Sequence, residues 1–187
     1  MGLRYVGKRY PLADEGPSRA TRFELRDALF RFWFRFVYPN MSFISQMAPA
    51  RAYQALIKPH LDRYWGRCFE TLCREALPVL YEAEGIDAAF EIGEYWDKNV
   101  QIDVVGLRGD SSTDLCECKW GTIRSAAALT RELDRKKVLY PNRRNATIRL
   151  RVLARKLPRG ASRSAAVTWH SLMDLYALDD RQTRVSP

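Results

Sequence analysis

The spacing of hydrophobic and polar residues predicts a succession of helices and strands. Residues 3–12 and 22–26 have the polarity of short strands, and the turn-rich residues 13–21 between them indicate a hairpin with a long loop. In residues 61–84, apolar side chains recur at helical intervals up to Gly85, a residue type that commonly follows the end of a helix. This second pattern predicts a long amphipathic helix.

An aromatic segment lies between the hairpin and that helix. Asp27 is placed to cap a helix over residues 28–37, and Pro39 is expected to end it. Four side chains at helical spacing form one apolar face: Phe30, Trp33, Phe34 and Val37. We therefore predict a buried packing helix, followed by a weaker helical pattern in residues 42–58.

The second half of the chain alternates between strand and helix periods. In order, the predicted elements are strands at 90–96, 100–107 and 114–120, a helix at 123–139, strands at 147–154 and 166–170, and a helix capped by Ser171. This order predicts an α/β fold with a mixed central sheet flanked by helices. We expect two units: residues 1–45, which hold the hairpin and most of the aromatic segment, and residues 46–187, which hold the sheet.

The charge of the chain indicates which class of molecule it binds. The chain has 187 residues, of which 47% are hydrophobic, and its 31 basic against 22 acidic residues give a net charge of +9. A basic surplus of this size suits a polyanion, and nucleic acid is the first candidate. No apolar run reaches the roughly 18 residues that span a bilayer, and the polar first ten residues lack a signal peptide, so we expect a cytoplasmic location. The four cysteines are then expected to be reduced thiols.

Two predicted strands carry residues suited to metal and acid chemistry. Since strand side chains alternate, Glu117 and Lys119 share one face of their strand and Cys116 and Cys118 share the other. On the preceding strand, Asp103 shares a face with Gln101, opposite the apolar neighbours Ile102 and Val104. Hairpin pairing would therefore bring together three side chains: Asp103, Glu117 and Lys119. Two carboxylates suit Mg²⁺ or Mn²⁺, and a lysine beside them can orient water or neutralise a phosphate.

These residues resemble the signature of the PD-(D/E)XK nuclease superfamily. The matching pieces are Ile102-Asp103 and Glu117-Cys118-Lys119, in which Ile102 replaces the proline of the family name. The resemblance implies catalytic residues Asp103, Glu117 and Lys119, a metal held by Asp103 and Glu117, and hydrolysis of nucleic acid phosphodiesters, with DNA as the first substrate. It also implies a further acid from the preceding helix, a role that Glu70 matches. Glu91 and Glu94 are alternatives for that acid.

A second resemblance covers nearly the whole chain. Residues 25–40, together with Cys116-Glu117-Cys118-Lys119-Trp120, are similar to the C-terminal domain of unknown function of prokaryotic AAA-type ATPases. In those proteins the preceding hairpin is the wing of a winged-helix domain. This chain has no G-x-x-x-x-G-K-[ST] loop and hence no ATP site of that kind. The resemblance implies a freestanding C-terminal half or a fragment, with an ATPase partner or a homodimer as candidate assemblies.

Basic residues and cysteines leave further interpretations open. A phosphate backbone is the candidate ligand of Arg124, Arg131, Arg135, Lys136 and Lys137, and also of a second run, Arg143, Arg144, Arg149 and Arg151; a solvated charged surface is the alternative. The spacing of the cysteines does not suit zinc, and we expect Cys116 and Cys118 in the core. The acidic face also has an alternative interpretation, as an ion-pair cluster in a non-enzymatic module that binds DNA or protein.

Overall fold

The computed structural model describes residues 5–12, 21–161 and 166–176. Its centre is a five-stranded sheet in the order β3 (Phe90–Trp96), β4 (Gln101–Arg108), β5 (Ser112–Lys119), β6 (Thr147–Ala154) and β7 (Val167–Ser171). The first three strands are antiparallel, whereas β5, β6 and β7 run parallel. The predicted α/β fold with a mixed sheet flanked by helices is confirmed.

One long helix covers each face of this sheet. Helix α4 (Leu61–Ala83) buries Phe69, Cys73 and Leu77 against Val104 and Cys116, among others. Helix α5 (Ala126–Leu139) buries Leu129 and Leu133 in a second core on the opposite face. Cys116 thus lies in the core, as its strand alternation predicted. The buried apolar surface on both faces is the main stabilising term for the sheet.

Close contact between α4 and the sheet depends on a glycine. Gly106 on β4 lies against the Tyr81 hydroxyl and the Leu77 side chain, and a Cβ at this position would collide with that hydroxyl. The absence of a side chain therefore allows Tyr81 to reach across the sheet surface. Its hydroxyl donates a 2.7 Å hydrogen bond to the fully buried Asp114 on β5.

The N-terminal strands form the predicted hairpin and lie against the sheet. Strands β1 (Val6–Arg9) and β2 (Arg22–Leu25) pair antiparallel, and the chain after β1 bridges to β3 through Pro11 and Glu94. Arg9 also forms an ion pair with the buried Glu94. Packing of this kind is needed because two strands alone are marginal in water.

The aromatic segment is helical, but the face it buries differs from the prediction. It consists of α1 (Ala28–Phe32), a π-helical turn (Trp33–Val37), a 3₁₀ turn (Tyr38–Asn40) and α2 (Met41–Ile44). Phe36 is buried with 2% exposure and its ring packs on Tyr64, whereas Trp33 and Phe34 are 42% and 50% exposed. Since nearly every position here is apolar, periodicity alone cannot select the buried side. The π-helical turn changes the register further.

Several other element boundaries differ from the predictions. Pro39 does not end the aromatic helix but lies in the 3₁₀ turn that leads into α2. The weak helical pattern of residues 42–58 is broken after α2, and helical structure resumes with α3 (Pro49–Ala52), a π-helical turn (Tyr53–Ile57) and a 3₁₀ turn (Lys58–His60). Residues 172–176 form the helix predicted after Ser171, whose hydroxyl accepts a hydrogen bond from the Asp174 backbone. None of the helices in the described part of the chain is long and apolar enough to cross a membrane.

Candidate active site

A β-bulge in β4 fixes the position of Asp103. The pairing of β3 with β4 runs from Gly93 opposite Val105 to Tyr95 opposite Ile102, so Asp103 and Val104 together face one residue of β3. The extra residue breaks the alternation, and Ile102 and Val104 enter different cores instead of pointing the same way as predicted. Such bulges re-aim side chains and are frequent beside active sites.

The Asp103 carboxylate binds the backbone of the neighbouring strand. Regular pairing of β4 with β5 extends as far as Val104 opposite Cys116. Beyond it, Asp103 Oδ2 accepts a 2.9 Å hydrogen bond from the Cys118 backbone N–H. This contact ties the carboxylate to the part of β5 that carries Glu117 and Lys119.

Glu117 is buried and contacts two lysines. It is 3% exposed. Its Oε1 accepts a 2.6 Å hydrogen bond from Lys119 Nζ, and its Oε2 accepts one of 2.5 Å from Lys136 Nζ. Lys119 extends from the same strand, whereas Lys136 reaches in from α5. The predicted grouping of Asp103, Glu117 and Lys119 is therefore present in space, with a second lysine added.

Burial and like charge make the ionised form of Asp103 unfavourable. Burial is the larger cause and repulsion from Glu117 the next, and together they raise the pKa of Asp103 to about 7, despite the hydrogen bond from Cys118. Burial opposes the charged form of Lys119, but the attraction of Glu117 and its hydrogen bond, with smaller contributions from Glu132 and Asp103, together raise the lysine pKa. The site thus combines a carboxylate that is costly to ionise, Asp103, with a lysine that keeps its positive charge, Lys119.

Glu70 lies near this pair but has a different partner. It is on α4, where its Oε2 accepts a 2.7 Å hydrogen bond from Arg67. Its charge adds to the repulsion that raises the pKa of Asp103. Across residues 5–12, 21–161 and 166–176, no three His, Cys, Asp or Glu side chains are arranged to share one metal ion. Glu70 therefore does not complete a three-carboxylate cluster with Asp103 and Glu117.

The two alternative acids on β3 lie elsewhere. Glu91 is exposed near the start of the strand. Glu94 is buried and binds Arg9 of the hairpin and, at 2.7 Å, Arg74 of α4. Glu94 therefore joins the N-terminal hairpin to the sheet.

Lys136 belongs to the candidate site, although the sequence predicted a different role for it. Its basic neighbours predict a residue that binds a phosphate backbone, yet its side chain is largely buried against Glu117. A signal for this position is present in the sequence, because Leu129, Leu133 and Lys136 follow helical spacing along the stripe of α5 that faces the sheet. The other four members of the first predicted set of nucleic-acid contacts are exposed: Arg124, Arg131, Arg135 and Lys137.

Arg151 is also predicted to bind a phosphate backbone, and this prediction is wrong because the side chain is buried inside the protein. It is 4% exposed, and its guanidinium binds Glu84 at 2.6 and 2.7 Å and Asp114 at 2.6 Å. His170 lies 3.4 Å from the same guanidinium. Arg149, two residues earlier on β6, is exposed.

The fold and the site together define an α/β domain with an acid pair and two lysines at a strand bulge. Residues 33–132 match the model of the DUF234 family, described as archaea bacterial proteins of unknown function. Since the match covers more than half of the 187 residues, the chain belongs to this family.

Comparison with individual proteins gives a relative of unknown function. An uncharacterized protein of Methanocaldococcus jannaschii is 26% identical over 141 residues, which cover 73% of this chain and 31% of that relative. The matched part of the chain thus spans about a third of the length of that relative. No solved structure matches the chain.

Proposed function

We propose that this protein is a metal-dependent nuclease that hydrolyses phosphodiesters of nucleic acid, with DNA as the first substrate to test. The observation that carries the proposal is the juxtaposition of Asp103 and Glu117 beside Lys119 at the β4 bulge. Acidic residues with raised pKa values and specific charged neighbours are common at functional sites. The net charge of +9 agrees with a polyanionic substrate.

The donor set suits a divalent cation. Mg²⁺ and Mn²⁺ prefer oxygen ligands, and Mg²⁺ sites often use one or two carboxylates with water and substrate phosphate completing the shell. Asp103 and Glu117 supply two carboxylates, and a cation would relieve the repulsion that raises the pKa of Asp103. A cation that binds Glu117 would compete with the two lysines for this carboxylate, because each of its oxygens already accepts a hydrogen bond from a lysine.

The chain's own residues have separable roles in this chemistry. A bound cation supplies acidification of water and stabilisation of charge on the phosphate. Asp103 is oriented for ligation by the Cys118 N–H. Lys119 remains charged beside Glu117, and it orients the attacking water or neutralises charge on the phosphate in the transition state. Glu70 on α4 is expected to support a water molecule near the acid pair.

The test is cleavage of plasmid and single-stranded DNA with Mg²⁺ or Mn²⁺, comparing wild type with Lys119→Ala. We expect the variant to lose at least about 100-fold in rate, because removal of one electrostatic donor costs this much in comparable sites. Lys98→Ala, which replaces an exposed lysine in the turn between β3 and β4, is the matched control and should cleave at the wild-type rate. Equal cleavage by wild type and Lys119→Ala in a clean preparation would rule the proposal out.

A second candidate is a catalytically inactive module that binds DNA or a protein such as an AAA-type ATPase. The observation that favours it is the complete pairing of Glu117 with Lys119 and Lys136, because an acid satisfied by two lysines needs no metal for structural reasons. Exposed aromatic side chains such as Trp33 and Phe34 would then serve as a docking surface for the partner. Salt-dependent DNA binding by a protein without affinity for divalent ions would favour this module.

A further inference from the structure

We infer that the cleft between β2, the aromatic segment and the first half of α4 binds single-stranded nucleic acid. The inference rests on the proposed function, since it names the form of substrate that the acid pair receives. The cleft encloses about 860 Å³, within the range of about 300–1,000 Å³ typical of ligand clefts. It is therefore concave enough to hold a few nucleotides, and it differs from the exposed basic residues of α5, which lies on the other face of the sheet.

The charge of the cleft matches a polyanion. Its lining includes four arginines, Arg31, Arg35, Arg63 and Arg67, and one acid, Glu70. Arg67 is paired with Glu70, whereas the other three form no ion pair within the described residues. The Nε of Arg31 is buried and has no hydrogen-bond partner in the described part of the chain. Arginines that are close together and unneutralised attract phosphates and are available to bind them.

Aromatic faces in the same cleft favour unpaired bases over other anions. Phe23 of β2 and Phe34 of the π-helical turn line the cleft and are 66% and 50% exposed. Single-strand binding sites combine a basic groove with aromatic side chains on which bases stack. A duplex keeps its base faces stacked internally, and an acidic peptide has few flat faces, so neither uses this combination as well.

Glu70 connects the cleft with the acid pair. It lines the cleft from α4, and its charge acts on Asp103. A strand whose phosphates contact the arginines would therefore extend toward Asp103 and Glu117. Phe69, the neighbour of Glu70, packs on Trp120, which follows Lys119 in the chain, so α4 and the end of β5 are in direct contact here.

The test is binding of fluorescein-labelled oligothymidylate, followed by anisotropy in EDTA, so that neither metal nor cleavage is involved. We expect Phe34→Ala to weaken binding by roughly 5- to 150-fold, the range that corresponds to loss of one stacked base. We expect Arg35→Ala/Arg63→Ala to reduce the slope of log affinity against log salt by about 1.4, or about 0.7 for each phosphate that is no longer neutralised. Phe43→Ala and Arg159→Ala are matched controls, since both residues are exposed and lie outside the cleft.

Three results would overturn the inference. They are unchanged binding of oligothymidylate by the cleft variants, an equally large loss of duplex or polyglutamate binding in those variants, and no binding of oligothymidylate by wild type. The outcome is separable from that of the proposed nuclease. A protein that binds the strand through the cleft and cleaves nothing retains this inference and loses the proposed activity, whereas cleavage unaffected by the cleft variants at subsaturating DNA does the reverse.

Discussion

Ionised Asp103 is a cost to the folded state, and this cost has a defined pH range. The pKa of Asp103 is raised to about 7 by burial and by Glu117, against about 3.9 in an unfolded chain. The folded protein therefore binds an extra proton between these values. The resulting stabilisation is complete below about pH 3.9 and is lost as the pH rises through about 7. A site that tolerates this cost is consistent with a role for the carboxylate beyond stability.

Replacing Asp103 by asparagine should remove the cost. Asparagine has a similar shape and its side-chain oxygen can still accept the hydrogen bond from Cys118. We expect Asp103→Asn to raise the free energy of unfolding at pH 8 by about 1–4 kcal/mol, and to change it little at pH 4. Urea denaturation at both pH values measures this. Asp134→Asn, an exposed acid on α5, should show no such difference between the two pH values.

The sequence predicted which residues meet at the site better than how they meet. Alternation placed Glu117 and Lys119 on one face, and they form a 2.6 Å contact. The bulge at Asp103 was not visible, because an extra residue in one strand is defined by pairing with the next strand and not by the local pattern. Lys136 was visible as part of the apolar stripe of α5, but its basic neighbours suggested a solvent-facing role.

At the scale of elements, Arg151 joins four parts of the fold. From β6 it binds Glu84 beyond the end of α4 and Asp114 on β5, and it lies beside His170 on β7. Hydrogen bonds from His170 and Arg151 outweigh the effect of burial and lower the pKa of Glu84 to about 2. The stability contributed by Glu84 is therefore present above about pH 4.3 and is lost as the pH falls toward 2.

Removing Arg151 should be strongly destabilising. Asp114 is fully buried and would lose a charged partner that lies 2.6 Å away, so we expect Arg151→Ala to lower the free energy of unfolding by about 3–5 kcal/mol. Chemical denaturation at pH 7 measures the change. Arg149→Ala, two residues away on the same strand and exposed, should alter stability by less than about 0.5 kcal/mol. A decrease of equal size in both variants would show that the network around Arg151 contributes little.

The elements themselves followed from sequence wherever one periodicity was clear. Strands β3 and β6 have the predicted boundaries, and α4 starts where expected. For the aromatic segment, the predicted buried face was wrong, because its own apolar side chains lie on every side of the helix. The contact of Phe32 and Phe36 with Tyr64 decides which side is buried. Residues 42–58 were predicted as one helix, although the break before Pro49 follows from the conformational preference of a residue that precedes proline.

At the scale of the whole molecule, two basic surfaces lie on opposite faces of the sheet. The cleft beside α4 is one, and the exposed Arg131 and Arg135 of α5 belong to the other. Helices α4 and α5 pack in separate cores, so the two surfaces are divided by the sheet. The composition predicted a polyanionic partner but not where it binds. The packing of the helices shows that the cleft beside α4 is a groove with aromatic residues, whereas the α5 surface is an open row of charged residues.

The α5 surface should bind duplex DNA through phosphates without reading sequence. We expect Arg131→Ala/Arg135→Ala to weaken duplex binding equally for unrelated sequences and to reduce the salt slope by about 0.9 for each phosphate that the variant no longer neutralises. Anisotropy titrations of two unrelated duplexes over a range of salt concentrations measure both effects. Arg159→Ala, an exposed arginine in the loop after β6, is the control. Unchanged slopes would identify α5 as a solvated charged surface.

The most direct test of the central claim is Mn²⁺ binding, because it does not depend on choosing the right substrate. Calorimetry at pH 8, where Asp103 is ionised, compares wild type with Asp103→Asn and with the exposed control Asp134→Asn. We predict one site in wild type and in the control, and an affinity lower by at least about 10- to 100-fold in Asp103→Asn, since even residues behind a metal ligand have effects of this size. No binding in wild type, or equal binding by all three proteins, would contradict the assignment of Asp103 and Glu117 as a metal site.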